Sequence, residues 1–224
     1  MRNYVVIPAG GAGLRSGFSK PKQYVKVNGK ELIVYTLMNF QKCRFVDEIV
    51  IAASEQYFKL LNKLIIKYKL SKVTSVIEGG KERQDSVFNA LFSLNTNSND
   101  LILVHDAARP LLSASVLENA VKLAEEKGNA VVALKARDTL VKGAGSINSY
   151  LDRDEIYQIQ TPQIFKASIL KKAMLEAQKD NFYGTDESML VKRIGKKVYL
   201  SEGSSLNFKV TTKEDFSLFK SLLG

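Results

Sequence analysis

Between Pro8 and Lys22 the chain reads Pro-Ala-Gly-Gly-Ala-Gly-Leu-Arg-Ser-Gly-Phe-Ser-Lys-Pro-Lys, directly after the apolar run Tyr4-Val5-Val6-Ile7. Glycine has no Cβ, so successive main-chain N–H groups can turn inward and approach anionic oxygens closely. Arg15 and Lys22 add fixed positive charge at the same place. The stretch Ala9, Gly10, Gly11, Ala12 and Gly13, with those two cations, reads as a grip on a triphosphate and suits nucleotidyl transfer. Two commoner phosphate loops are excluded. No glycine precedes a lysine and a hydroxyl in the P-loop frame, and Gly11 and Gly13 are followed by Ser16, one residue short of Gly17, where a dinucleotide fingerprint needs its third small residue. A plain strand-to-helix turn would account for Gly10, Gly11 and Gly13. It would not account for Arg15, Lys22, or Pro21, which stiffens the approach to Lys22.

Cys43 is the only cysteine and His105 the only histidine. Neither a disulfide framework nor a Cys/His zinc cluster can be built within one chain, so any metal must be held by oxygen ligands. The formal charge of +10 raises nucleic-acid binding as a rival. Its densest stretch places Lys59, Lys63 and Lys67 along one helical face with Leu60, Leu61, Leu64, Ile65 and Tyr68 on the other side, and no aromatic ladder accompanies the lysines. That is a solvated face, and nucleic acid is not expected as a partner.

These groups need a scaffold, and the chain is long enough for one: 224 residues, 45% apolar, support a single domain over 1–224. No apolar run approaches the roughly 20 residues of a membrane span, and the N-terminus lacks the pattern of a secretory signal, so a cytoplasmic protein without membrane contact is expected. Short β-branched runs at Tyr4–Pro8, Glu48–Ala53, Val73–Glu78, Leu101–His105 and Ala130–Leu134 alternate with amphipathic stretches at Leu32–Gln41, Gln56–Tyr68, Gln84–Leu94 and Ala114–Lys127. The alternation predicts an α/β fold, Rossmann-like and doubly wound, with a mostly parallel sheet and helices on both faces. The Pro8–Lys22 loop, the Gly79-Gly80 turn and the Asp106 turn then all fall at the carboxyl ends of strands, where such sheets bind ligands.

From Lys135 to Thr161 the alternation breaks. Thr139-Leu140-Val141 and Ile156-Tyr157-Gln158-Ile159 suggest the two sides of a hairpin-like arm, whose open edge requires cover or pairing, as a second copy of the chain would supply. Beyond it, Ile169–Gln178, Ser188–Arg193 and Lys213–Leu222 read as helical, and Lys197–Leu200 and Asn207–Val210 as extended. His105 shows no obvious partner in the sequence and reads as structural.

The ordered set Pro8-Ala9-Gly10-Gly11, Pro21-Lys22-Gln23-Tyr24, Glu78-Gly79-Gly80, Arg83, Asp85-Ser86-Val87, Val104-His105-Asp106-Ala107-Ala108-Arg109-Pro110, Arg137-Asp138-Thr139, Gln160-Thr161-Pro162-Gln163, Thr185-Asp186-Glu187 and Lys209-Val210-Thr211 resembles the 2-C-methyl-D-erythritol 4-phosphate cytidylyltransferases nearly end to end. His-Asp-Ala-Ala-Arg-Pro and Thr-Pro-Gln are diagnostic of that family and its ribitol 5-phosphate relatives. The second alanine of Ala107-Ala108 and the Thr185-Asp186-Glu187 run look more like the methylerythritol enzymes, with a ribitol-5-phosphate cytidylyltransferase as the alternative. Sugar 1-phosphate nucleotidylyltransferases are longer and usually add a substrate domain.

The resemblance implies that CTP and methylerythritol 4-phosphate, a polyol phosphate, give CDP-methylerythritol and pyrophosphate. Within it, Arg15, Lys22 and Lys209 correspond to the catalytic cations on the triphosphate. Ala9 to Gly13, Gly80, Lys81 and Ser86 correspond to CTP contacts, with Lys81 standing where an acidic residue is often found. Asp106 resembles a carboxylate that holds Mg²⁺, Arg109 and Thr185 line the polyol-phosphate pocket, and Lys209 also reaches the substrate phosphate. Thr139 and Arg153, on the arm, resemble residues that reach the neighbouring subunit's site, so a homodimer with shared sites is expected. For Asp106 a helix cap or a salt bridge to Arg109 is the alternative.

Overall fold

The computed structural model describes residues 1–11, 18 and 20–224. In chain order the strands are β1 (Asn3–Pro8), β2 (Lys26–Val27), β3 (Lys30–Glu31), β4 (Glu48–Ala53), β5 (Val73–Glu78), β6 (Leu101–Val104), β7 (Asn129–Lys135), β8 (Leu140–Gly143), β9 (Ile147–Leu151), β10 (Tyr157–Lys166) and β11 (Leu200–Glu202). The α-helices are α1 (Leu32–Lys42), α2 (Phe58–Lys67), α3 (Arg83–Ser93), α4 (Ala114–Lys127), α5 (Ala167–Lys179), α6 (Glu187–Arg193) and α7 (Lys213–Ser221). Among the described residues no helix is long and apolar enough to cross a membrane.

Seven strands form one sheet in the order β11-β7-β10-β6-β1-β4-β5. All neighbours are parallel except β10, which runs antiparallel to both β6 and β7. The period of two along each central strand divides the core cleanly. Val5, Ile7, Ile49, Ile51, Leu101 and Leu103 face one layer, where Leu37 and Phe40 of α1, Leu61 and Leu64 of α2, and Leu117 and Val121 of α4 are buried. Tyr4, Val6, Val50, Ala52, Ile102 and Val104 face the other, packed with Val87 and Leu91 of α3, Leu170 and Met174 of α5, and Leu190 of α6. Helices thus cover both faces, as the alternation predicts. A third cluster, in which Ala108 and Val210 pack with Phe216 and Phe219 of α7, draws the C-terminal segment against the loop that follows β6.

Three expectations need correction. Ile156–Ile159 does not close a hairpin with Thr139–Val141; Tyr157–Ile159 pairs with Leu134–Lys135 and Ala133 in the main sheet, and the arm is instead β8 paired with β9. Gln160 and Thr161, read as the end of the stretch where the alternation breaks, lie inside β10, with a register shift between Ile159 and Gln163 and a cis Thr161–Pro162 bond. Asn207–Val210 belongs to no strand. A buried side chain and one main-chain bond hold it instead: Asn207 Nδ2 donates to Thr161 O (2.8 Å) and Gln160 Oε1 (3.2 Å), and Val210 N donates to Ala108 O (2.8 Å).

Candidate active site

The loop after β1 is anchored by its first residues. Ala9 N donates to Ala52 O (2.7 Å), and Ala9 O accepts from Gln23 Nε2 (2.7 Å) and Tyr24 OH (3.2 Å). Both main-chain groups of Ala9 are therefore spent inside the protein. Ala9 anchors the loop, and its N–H is engaged by Ala52. Gln23 also donates to Gly11 O (3.0 Å), so one buried amide holds two carbonyls at the loop's root. Sequence alone assigns Gln23 no role, because a glutamine between Lys22 and Tyr24 carries no chemical signature of its own. Ala12, Gly13 and Arg15 lie outside the described residues.

Gly10 borders the second loop directly, since a Cβ there would stand 3.4 Å from Ser86 Oγ. That hydroxyl organises the Gly79-Gly80 turn: it accepts from Gly80 N (3.0 Å) and donates to Glu82 O (3.1 Å). Its proton is committed, which leaves an accepting lone pair. A reciprocal cap between Glu82 and Asp85 fixes the start of α3 beside it. Gly80 has no room for a side chain, because a Cβ would fall 2.1 Å from Asp85 Cβ and 3.0 Å from its carbonyl carbon. Gly80→Ala is accordingly expected to cost about 1–3 kcal/mol of stability, as overpacking against backbone does. A urea midpoint equal to that of the unaltered protein would show that the turn can shift freely.

The third loop carries the charged centre. Asp106 follows β6, is nearly buried, and meets three cations: Arg83 Nε at 3.2 Å from Oδ1, with Lys209 Nζ at 2.9 Å and Arg109 Nε at 3.4 Å from Oδ2. Burial alone would raise its pKa, but Arg83, Lys209 and Arg109 outweigh it and hold the carboxyl well below the usual range. Burial lowers the pKa of Arg109 against the pull of Asp106. Arg109 Nη1 donates to Asn207 O (2.7 Å), so the same arginine ties the Asp106 turn to the segment bearing Lys209. Lys22 Nζ donates to Thr211 Oγ1 (3.4 Å), which brings the first loop's lysine to that segment as well.

A divalent metal does not fit Asp106 in this arrangement. Both of its oxygens face cations. The donor set makes Asp106 an anchor for Lys209, Arg109 and Arg83, as in the salt-bridge alternative.

His105 does have partners. Its Nε2 lies 3.1 Å from Arg109 O and its Nδ1 3.0 Å from Thr161 Oγ1. A carbonyl only accepts, so Nε2 carries the proton and Nδ1 accepts from the threonine hydroxyl. Thr161 Oγ1 in turn accepts from Asp106 N (3.1 Å). The buried polar residues of β10 thus hold the main chain of the charged centre.

Thr185, Lys81 and Arg83 line one cleft of about 480 Å³ with Tyr183 and Gly184. The helix that follows is capped by Asp186, whose carboxylate accepts from Met189 N (2.9 Å), so the Thr185 hydroxyl is not needed as the cap. Arg83 and Glu187, named in the motifs but given no role, meet here: Arg83 Nη1 and Nη2 donate to Glu187 Oε1 (2.7 Å) and Oε2 (3.1 Å). Thr139 and Arg153 are not brought to this centre. Both are exposed on the arm, and Arg153 Nη1 donates to Arg137 O (3.3 Å).

Cations converging on the carboxyl edge of a doubly wound sheet, beside a glycine loop and a capped glycine turn, define a Rossmann-like nucleotidyltransferase. A family model described as 2-C-methyl-D-erythritol 4-phosphate cytidylyltransferase matches residues 3–224. The chain belongs to that family. A protein of that name from Clostridium perfringens is 40% identical over 218 residues, covering 95% of each chain. One from Clostridium acetobutylicum is 37% identical over 224 residues, covering 99% of this chain and 97% of its own. Among solved structures, that of the 2-C-methyl-D-erythritol 4-phosphate cytidylyltransferase of Thermus thermophilus superposes with a TM-score of 0.82 at 29% identity, covering 99% of this chain and 98% of the other.

Proposed function

We propose that this chain transfers the cytidylyl group of CTP to 2-C-methyl-D-erythritol 4-phosphate, giving CDP-methylerythritol and pyrophosphate in the non-mevalonate isoprenoid pathway. The observation that carries the reading is family membership along almost the whole chain, with Lys22, Lys209 and Arg109 gathered at the sheet edge. A phosphate oxygen of the polyol phosphate attacks the α-phosphorus, and the bond to the bridging oxygen of the departing pyrophosphate breaks. The attacking monoester is already anionic, so neither a covalent nucleophile nor a strong base is required; alignment and charge neutralisation suffice.

Lys22 and Lys209, with Arg15, take the catalytic role on the triphosphate. Gly10, Gly11, Ala12 and Gly13 lie along it. Cytosine sits at Gly80, Lys81 and Ser86, where the accepting lone pair of Ser86 Oγ suits the exocyclic amine. Arg109 and Thr185 face the polyol phosphate. A divalent ion, Mg²⁺ in our reading, accompanies the triphosphate, whose oxygens and bound water are its customary ligands; no protein residue is assigned to it.

Residues 1–224 act as one nucleotidyltransferase domain, with the arm within 135–161 reserved for a second copy. In favour of that role, Val141, Ile147, Tyr150 and Leu151 are exposed on the paired strands β8 and β9. Thr139 and Arg153 would then complete the neighbouring copy's site in a homodimer.

The test is pyrophosphate release from purified protein given Mg²⁺, each NTP in turn, and either 2-C-methyl-D-erythritol 4-phosphate or ribitol 5-phosphate. Turnover is expected with CTP and the methylerythritol substrate. Turnover only with ribitol 5-phosphate would replace the acceptor, and no turnover with either would remove the proposal.

A further inference from the structure

We infer that Arg83 is a positioning residue for this reaction and Glu187 its anchor, acting through Asp106 on Lys209; the inference rests on the function proposed above. Arg83 joins three segments that are far apart in the chain. It begins α3 directly after the Gly79-Gly80 turn, reaches Asp106 at the end of β6 through Nε, and grips Glu187 at the start of α6 with both terminal nitrogens. Glu187 is only 1% exposed at its side chain, so its charge is held in place by this guanidinium. Burial disfavours the charge on Arg83, but Glu187 and Asp106 outweigh it and the net shift is upward.

The geometry then passes to the cations. A carboxylate is planar, so fixing Asp106 Oδ1 on Arg83 (3.2 Å) fixes the direction of Oδ2, and Oδ2 is where the Lys209 ammonium rests at 2.9 Å. Lys209 has a flexible stem and a point charge; its location depends on the anion it meets. Arg83 suits this task because its planar fork offers two parallel donors to one carboxylate while Nε remains for another. An ammonium could neutralise both acids without setting either orientation.

Arg83→Lys and Glu187→Gln separate orientation from charge. Lysine keeps a cation beside both carboxylates, so neither is left buried and unpaired, and folding is checked by thermal melting. Each variant is expected to lose kcat by on the order of 10- to 100-fold, the scale of a misplaced reacting group, with the KM for CTP changed by less than about threefold. Because the effect runs through Asp106, adding either substitution to Asp106→Asn should cost less than about threefold further, read in single-turnover assays that reach rates far below wild type. Wild-type kcat in Arg83→Lys, or the full loss repeated on the Asp106→Asn background, would overturn the role. An unaltered protein inactive with CTP and polyol phosphate would instead sink the proposed function, so the two failures are distinguishable.

Discussion

Lys209→Ala is expected to lower kcat by on the order of 100-fold or more, and Lys22→Ala by a similar factor, as when a charge contact made chiefly in the transition state is removed. Negative charge accumulates at the α-phosphoryl group and on the departing pyrophosphate, and the attacking molecule brings an anion of its own. Lys209 is the described cation best placed to respond. Its side chain is 37% exposed while its ammonium rests on Asp106, so it can reach toward a ligand without the fold giving way. Asp106 retains Arg83 and Arg109 when Lys209 is removed, and melting temperature should therefore change little. Steady-state kinetics with both substrates check the prediction. Wild-type turnover in both variants would take these lysines out of the mechanism.

Central strands and long helices were legible in the sequence for a physical reason. Strands buried on both faces need unbroken apolar runs, and Glu48–Ala53 is such a run, bounded as observed; the half-exposed edge strand Val73–Glu78 is legible from its bounding turns and its β-branched residues. β10 was legible only at its start, Tyr157–Ile159. Gln158, Gln160, Thr161, Pro162 and Gln163 interrupt it with residues that ordinarily mark loops, yet Gln160, Thr161 and Gln163 are buried. Their polar atoms are used locally: Gln163 Oε1 accepts from Ser188 N (2.8 Å), Gln160 Nε2 donates to Ser204 O (2.8 Å), and Thr161 serves His105 and Asp106. The rest of the strand was hidden by the very residues that hold the site together.

The site itself divides in the same way. Lys22, Asp106, Arg109 and Lys209 could be picked out by side-chain type beside glycine turns or strand ends, aided by the family resemblance. What each touches depends on tertiary distance, as with Arg83 and Glu187, which meet across 104 residues of chain. No local pattern announces such a pair. Nor could the sequence show that Ala9 spends its own N–H on Ala52, since that bond follows from the parallel register of β1 and β4.

Stability should fall as pH drops from about 6.5 toward about 4, and His105 is the group responsible. Burial pushes its pKa from 6.5 down to about 4, while its two hydrogen bonds are satisfied by the neutral ring. The unfolded chain takes up a proton below its ordinary value, whereas the native state refuses it until the folded value is reached, so the loss develops within that interval and levels off beneath it. The separation between 6.5 and about 4 corresponds to about 3 kcal/mol, a large part of the stability of a typical domain. His105 is the only histidine in the chain, so no other imidazole contributes over this range. Asp106 acts in the same direction but lower, since its folded pKa lies below the ordinary 3.8 and its contribution is lost only as pH falls beneath that value. Urea unfolding of the unaltered protein and of His105→Gln at about pH 6.5 and about pH 4.5 isolates the histidine. The variant begins less stable at the higher pH and should lose far less on acidification; equal losses in both proteins would mean that the ring is not held neutral by the core.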